Sequence, residues 1–94
     1  MKTQEEVIRD LREEGYENVR VWNAKPNEVD EEHSHDFDTR LIVLTGRIEI
    51  TAPVNGKTET LSHSVGSDVS ILKNTPHSAK VGPNGCRYVA AERK

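Results

Sequence analysis

The sequence predicts an all-β sandwich or barrel preceded by one short helix, and three observations point there. Helical spacing of apolar residues is confined to the stretch before Gly15. Beyond it the apolar residues alternate in short runs, as half-buried strands do. Those runs are punctuated by turn pairs, Thr45-Gly46, Asn55-Gly56 and Asn84-Gly85.

The helix is placed at residues 4–14. Thr3 followed by Glu6 has the form of a capping box, Val7, Ile8 and Leu11 recur on one face, and Gly15 is a natural stop. Strands are expected over 18–24, 29–34, 39–45, 47–53, 57–62, 68–72, 77–82 and 86–92. Asn55-Gly56 reads as a type I′ hairpin, Asn84-Gly85 as a second one, and Thr45-Gly46 as a break between LIVL and RIEI. Lys25-Pro26-Asn27 is too short a linker to divide the chain, so residues 1–94 are expected to form one domain.

Composition narrows the functional classes. Only 33% of residues are hydrophobic against 31% charged, which is thin apolar material for a monomer. A homodimer is therefore expected, with residues 16–24 as the candidate interface. The net charge is -3 and no basic block is interleaved with aromatics, which argues against nucleic acid. The opening MKTQEEVIRDLREEG is polar, and no apolar run has the length of a membrane span. A cytoplasmic protein with no membrane partner is expected. The lone Cys86 fits a reducing compartment.

The stretch His33-Ser34-His35 carries the chemistry. Strand alternation aims His33 and His35 to one side, and the same face continues through Thr39, Leu41 and Val43. A third histidine, His77, follows in NTPHSAKV. Here the chain resembles the cupin superfamily, whose two motifs run G-x5-H-x-H-x3-E-x6-G and G-x5-P-x-G-x2-H-x3-N. Laid on this sequence without a gap, they keep His33, His35, Gly46, Gly66 and His77. Asn27 and Asn74 stand where glycines are expected, a mild exchange because asparagine tolerates left-handed backbone. Leu72 replaces a proline, Val81 an asparagine, and Thr39 the glutamate that supplies a carboxylate ligand in many metal-binding cupins.

The resemblance covers residues 27–92 and implies a double-stranded β-helix, the cupin jelly-roll barrel. It implies a divalent metal ion (iron, zinc, manganese or nickel) on His33, His35 and His77, with Thr39 as a weak oxygen ligand or acting through a water. Three protein ligands with open positions describe a catalytic rather than a structural site. The function implied is a small metalloenzyme of dioxygenase or isomerase type, acting on a small anionic or carbonyl-bearing molecule. The alternative is a non-catalytic binding or sensing module, with or without metal, in which the histidines remain as polar lining.

Other residues receive plainer readings. Asp36 or Asp38 is expected to hydrogen-bond behind the histidines, and Arg40 to pair at the surface with Asp38 or Glu49. Asp68 is read as a turn or surface group, His63 as solvated, and Cys86 as a small buried residue on one face with Tyr88 and Ala90. Tyr16 and Trp22 are read as core or interface aromatics, Trp22 with a pocket wall as its other reading. No general acid or base is expected inside the barrel apart from the ligands.

Overall fold

A computed structural model describes residues 2–94. The helix α1, Gln4–Glu13, begins on the expected capping box. The Thr3 hydroxyl accepts the Glu6 N–H at 3.2 Å, and the Glu6 carboxylate accepts the Thr3 N–H at 2.9 Å. It ends at Gly15, whose φ of 91° lets Tyr16 N–H reach back to Leu11 O at 3.1 Å, closing the last turn. Val7 and Leu11 form its buried stripe.

Six strands follow: β1 Glu17–Ala24, β2 Val29–His33, β3 Asp38–Val54, β4 Lys57–His63, β5 Asp68–Ile71 and β6 His77–Arg93. All pairings are antiparallel. The two long strands, β3 and β6, pair with each other along most of their length. β2 and β1 add to the first and second halves of β6, while β5 and β4 add to the first and second halves of β3. The expected all-β jelly-roll architecture with one short helix is the one observed.

Two expected strand breaks are instead bulges within continuous strands. At Thr45-Gly46 the β3–β6 register shifts without interrupting β3, and Gly82 to Gly85 loop out of β6 between the pairs Gly46↔Cys86 and Ile48↔Val81. The physical reason is parity. Before the bulge the residues buried in the inner cluster are Leu41 and Val43, and after it they are Ile48 and Ile50, so the shift returns the apolar side chains to the same interior. Along β6, Val81 before the loop and Cys86 after it obey the same switch. Gly46 and Gly85 make it possible by close backbone approach, since a Cβ on Gly46 would sit 2.0 Å from Gly85 O. Asn55-Gly56 is a true hairpin, with φ of 51° and 82° and Val54 paired to Lys57, as a type I′ turn requires.

The continuous apolar run LIVL now has an explanation. Leu41 and Val43 face the barrel interior, while Ile42 and Leu44 pack on the opposite face with Val7, Leu11, Val89 and Ala91, beneath α1. Asn27 and Asn74 adopt φ of 60° and 61°, so asparagine does fill the left-handed positions where the cupin pattern has glycine. No helix among the described residues is long and apolar enough to cross a membrane.

Candidate metal centre

The fold brings three separated histidines together. His33 ends β2 and His77 begins β6, and the two are direct partners in the ladder, which points both rings to one face. His35 lies just past β2, where its carbonyl accepts the Asn74 N–H at 2.7 Å and so ties the first motif's loop to the second motif's turn. The ring centroids stand 4.9 Å (His33–His35), 4.4 Å (His33–His77) and 5.4 Å (His35–His77) apart. One ligand nitrogen from each ring falls within 4.8 Å of the others. Bonds of about 2.1 Å to a shared ion hold nitrogens about 3–4 Å apart, so small ring rotations complete the closure.

Hydrogen bonds fix which nitrogens face inward. His33 Nδ1 donates to Glu31 O at 2.7 Å and His77 Nδ1 donates to Thr75 O at 2.9 Å. A backbone carbonyl only accepts, so each Nδ1 carries the proton and each Nε2 keeps its lone pair for a ligand. His35 is held by stacking on Phe37, with centroids 4.8 Å apart and planes at 10°. Burial, then the neighbouring His33 and His77, holds its pKa below the ordinary imidazole value. A neutral ring is what metal binding needs.

Exposure is graded across the trio. His77 is buried at 7%, His35 is intermediate, and His33 is exposed at the mouth. The histidines therefore line an open pocket rather than a sealed interior. Its volume is about 340 Å³, and its apolar floor includes Leu41, Ile48, Ile50 and Ile71. A larger hollow of about 480 Å³ lies under α1 and holds none of the three.

Thr39 lines the histidine pocket as expected. Its Oγ1 is buried and has no hydrogen-bond partner. An orphaned buried hydroxyl costs about 1–3 kcal/mol, a cost that a bound ion or its water would relieve. This orphan, beside three converging imidazoles, fits a divalent metal.

Several expectations are corrected. Asp38 does not stand behind a histidine, because its carboxylate accepts the Lys73 N–H at 2.8 Å; the partners of His33 and His77 are backbone carbonyls. Arg40 pairs not with Asp38 or Glu49 but with Asp68, through Nε and through Nη2 at 2.6 Å, and it also reaches Glu14 and the Tyr16 hydroxyl. Asp68 is thus half of a fork-to-fork ion pair. His63 sits on β4 away from the trio. Cys86 is buried at 4%, and burial pushes its thiol pKa up, as an inert core cysteine requires.

Tyr88 also lines the pocket, with four charged groups that no sequence motif marks: Arg20, Glu28, Asp30 and Glu92. Alternation of β1 through Asn18, Arg20 and Trp22, and of β6 one step beyond Ala90, is the signal that reaches Arg20 and Glu92. Trp22 is 48% exposed and directly partners Tyr88 on the pocket wall. The Tyr88 phenol is pushed up to about 12, mainly by burial and then by Asp30, and stays protonated.

No family model matches the chain. The acireductone dioxygenase of Alcanivorax borkumensis is 31% identical over 93% of this chain and 52% of its own length. The chain thus spans about half the length of the curated relative it matches. Among solved structures, a variant oxalate decarboxylase of Bacillus subtilis superposes with a TM-score of 0.74 at 17% identity, over 81% of this chain and 20% of that one. The oxalate decarboxylase of Lactobacillus farciminis, in its formate complex, gives 0.73 at 19% identity, over 81% and 23%. The chain thus shares the β-barrel fold of these solved structures, and the left-handed asparagines at glycine positions and the gathered motif histidines agree with the resemblance to cupins.

Proposed function

We propose that His33, His35 and His77 hold a divalent metal ion beside Thr39, and that the chain is a metal-dependent enzyme of dioxygenase or isomerase type for a small anionic or carbonyl-bearing molecule. The observation that carries this reading is the approach of three imidazole nitrogens to within 4.8 Å of one another. When bound, the ion supplies Lewis acidity and, if iron, the means to engage dioxygen. Similarity to an acireductone dioxygenase favours the dioxygenase class.

The chain's own residues account for the rest. The carbonyls of Glu31 and Thr75 hold two rings in the ligating tautomer. Arg20 makes no ion pair among the described residues, so its guanidinium is free to meet a substrate carboxylate. Trp22 and Tyr88, ladder partners that both line the pocket, offer aromatic surface to a planar, conjugated substrate. The same reading makes the protein a cytoplasmic homodimer that pairs through residues 16–24, a sheet edge carrying the exposed Trp22. Light scattering at micromolar concentration is expected to give twice the chain mass, and a monomer mass would remove the dimer.

The test is elemental analysis of purified protein beside a His33→Ala/His77→Ala variant, followed by dioxygen uptake with the iron-loaded protein and a panel of enediol carbonyls and small dicarboxylates. Stoichiometric metal in the first, none in the variant, and substrate-dependent uptake are expected. Equal trace metal in both would remove the site. Saturable ligand binding without turnover would make the chain a binding module instead.

A further inference from the structure

Three neutral imidazoles leave a dication's charge unbalanced, and one carboxylate of the pocket stands where it can meet that charge. We propose that Glu92 supplies the anionic charge of this metal centre, in the part that the glutamate replaced by Thr39 takes in the cupin pattern. The inference rests on the metal-binding reading above.

The register of the sheet carries it. Thr39 on β3 and Glu92 on β6 are direct partners in the antiparallel ladder. Such partners project their side chains from the same face, with Cβ atoms about 5 Å apart. Both line the histidine pocket. Threonine is short and leaves the space between the two strands open, and glutamate has the reach to enter it.

The other acids are placed less well. Glu28 lies before β2 with its carboxylate accepting the Lys25 N–H at 3.4 Å, Asp30 partners Ala79, which is no motif position, and Asp36 is exposed and does not line the pocket. Glu92 is also free to move. It makes no ion pair among the described residues, and its carboxylate accepts one exposed hydrogen bond, from Asn18 Nδ2 at 3.2 Å. An exposed bond of that length from a neutral amide is worth little against the attraction of a divalent ion.

The experiment is a cobalt(II) titration of the metal-free protein, read by the visible absorption of the bound ion, with circular dichroism confirming that each variant is folded. Glu92→Gln keeps shape and removes charge, and it is expected to weaken binding by about tenfold or more and to change the absorption bands. Asp30→Asn is expected to bind as wild type does. Thr39→Glu added to Glu92→Gln is expected to restore tight binding, because it returns a carboxylate to the facing position. Wild-type affinity and bands in Glu92→Gln would overturn the proposal while leaving the three-histidine site standing. Equal losses in Glu92→Gln and Asp30→Asn would overturn it too, as a diffuse charge effect. Failure of the wild type to bind cobalt, or undiminished binding in His33→Ala/His77→Ala, would remove the histidine site and this inference with it.

Discussion

Left-handed backbone is concentrated at residues that can bear it. Asn18, Asn27, Asn55 and Asn74 all have φ between 49° and 61°, and each uses the one common non-glycine side chain suited to that region. Asn74→Ala is expected to lower stability by about 1–2 kcal/mol, read by chemical denaturation, while Asn74→Gly stays close to wild type. Gly46 is different, because strain and collision coincide there: φ is 77° and an added Cβ would meet Gly85 O at 2.0 Å. Gly46→Ala is expected to cost well over the roughly 1–3 kcal/mol of strained backbone alone, with a large fall in Tm or loss of soluble protein. Gly56→Ala, equally left-handed but in open space, is expected to show only the backbone cost; similar melting of the two variants would contradict the collision. The asparagines at 27 and 74 were legible in the sequence because their chemistry is local. Glu92 was not, since its relevance depends on standing opposite Thr39 in a register no local pattern specifies.

At the scale of elements, the helix was legible almost to the residue because its cap is a local, reciprocal pair of hydrogen bonds. Thr3→Ala is expected to cost about 1 kcal/mol in thermal or chemical unfolding. The Thr3 backbone N–H, with the Thr3 hydroxyl contact next, holds the Glu6 carboxyl below its ordinary pKa. A carboxyl depressed in the folded state stabilises above its unfolded pKa, and that contribution is lost as pH falls through the folded value. Helical circular dichroism in Glu6→Gln is therefore expected to be less sensitive than wild type to acidification below about pH 4.5, and equal sensitivity would contradict the cap's role. The strands were legible except at Thr45-Gly46 and Asn84-Gly85. Left-handed glycine serves a turn and a bulge alike, and only the partner strand tells them apart. The partners of Arg40 are hidden from local sequence for the same reason, because Asp68, Glu14 and Tyr16 come from three other segments.

The whole molecule encloses little. The interior divides into one small cluster between the sheet faces and another beneath α1, and β4 is exposed along nearly all its length. Ile48 is buried at 2% in the first cluster, and Ile48→Ala is expected to cost about 2–5 kcal/mol, enough to unfold much of a marginally stable domain. With so small a core, an ion bound only by the folded chain is a large addition to stability. Metal at one hundred times its dissociation constant is expected to add about 2.7 kcal/mol, visible as a rise in Tm that chelator reverses and that His33→Ala/His77→Ala lacks. At this scale the sequence revealed the architecture through turn spacing and motif offsets, and the pocket's remaining polar groups emerged only when β1, β2 and β6 were curled around one cavity. X-ray absorption of the metal-loaded protein addresses the convergence of the three rings most directly. Three imidazole nitrogens at about 2.0–2.1 Å from a zinc ion are expected; a shell with fewer than three, or one made of oxygen alone, would contradict it.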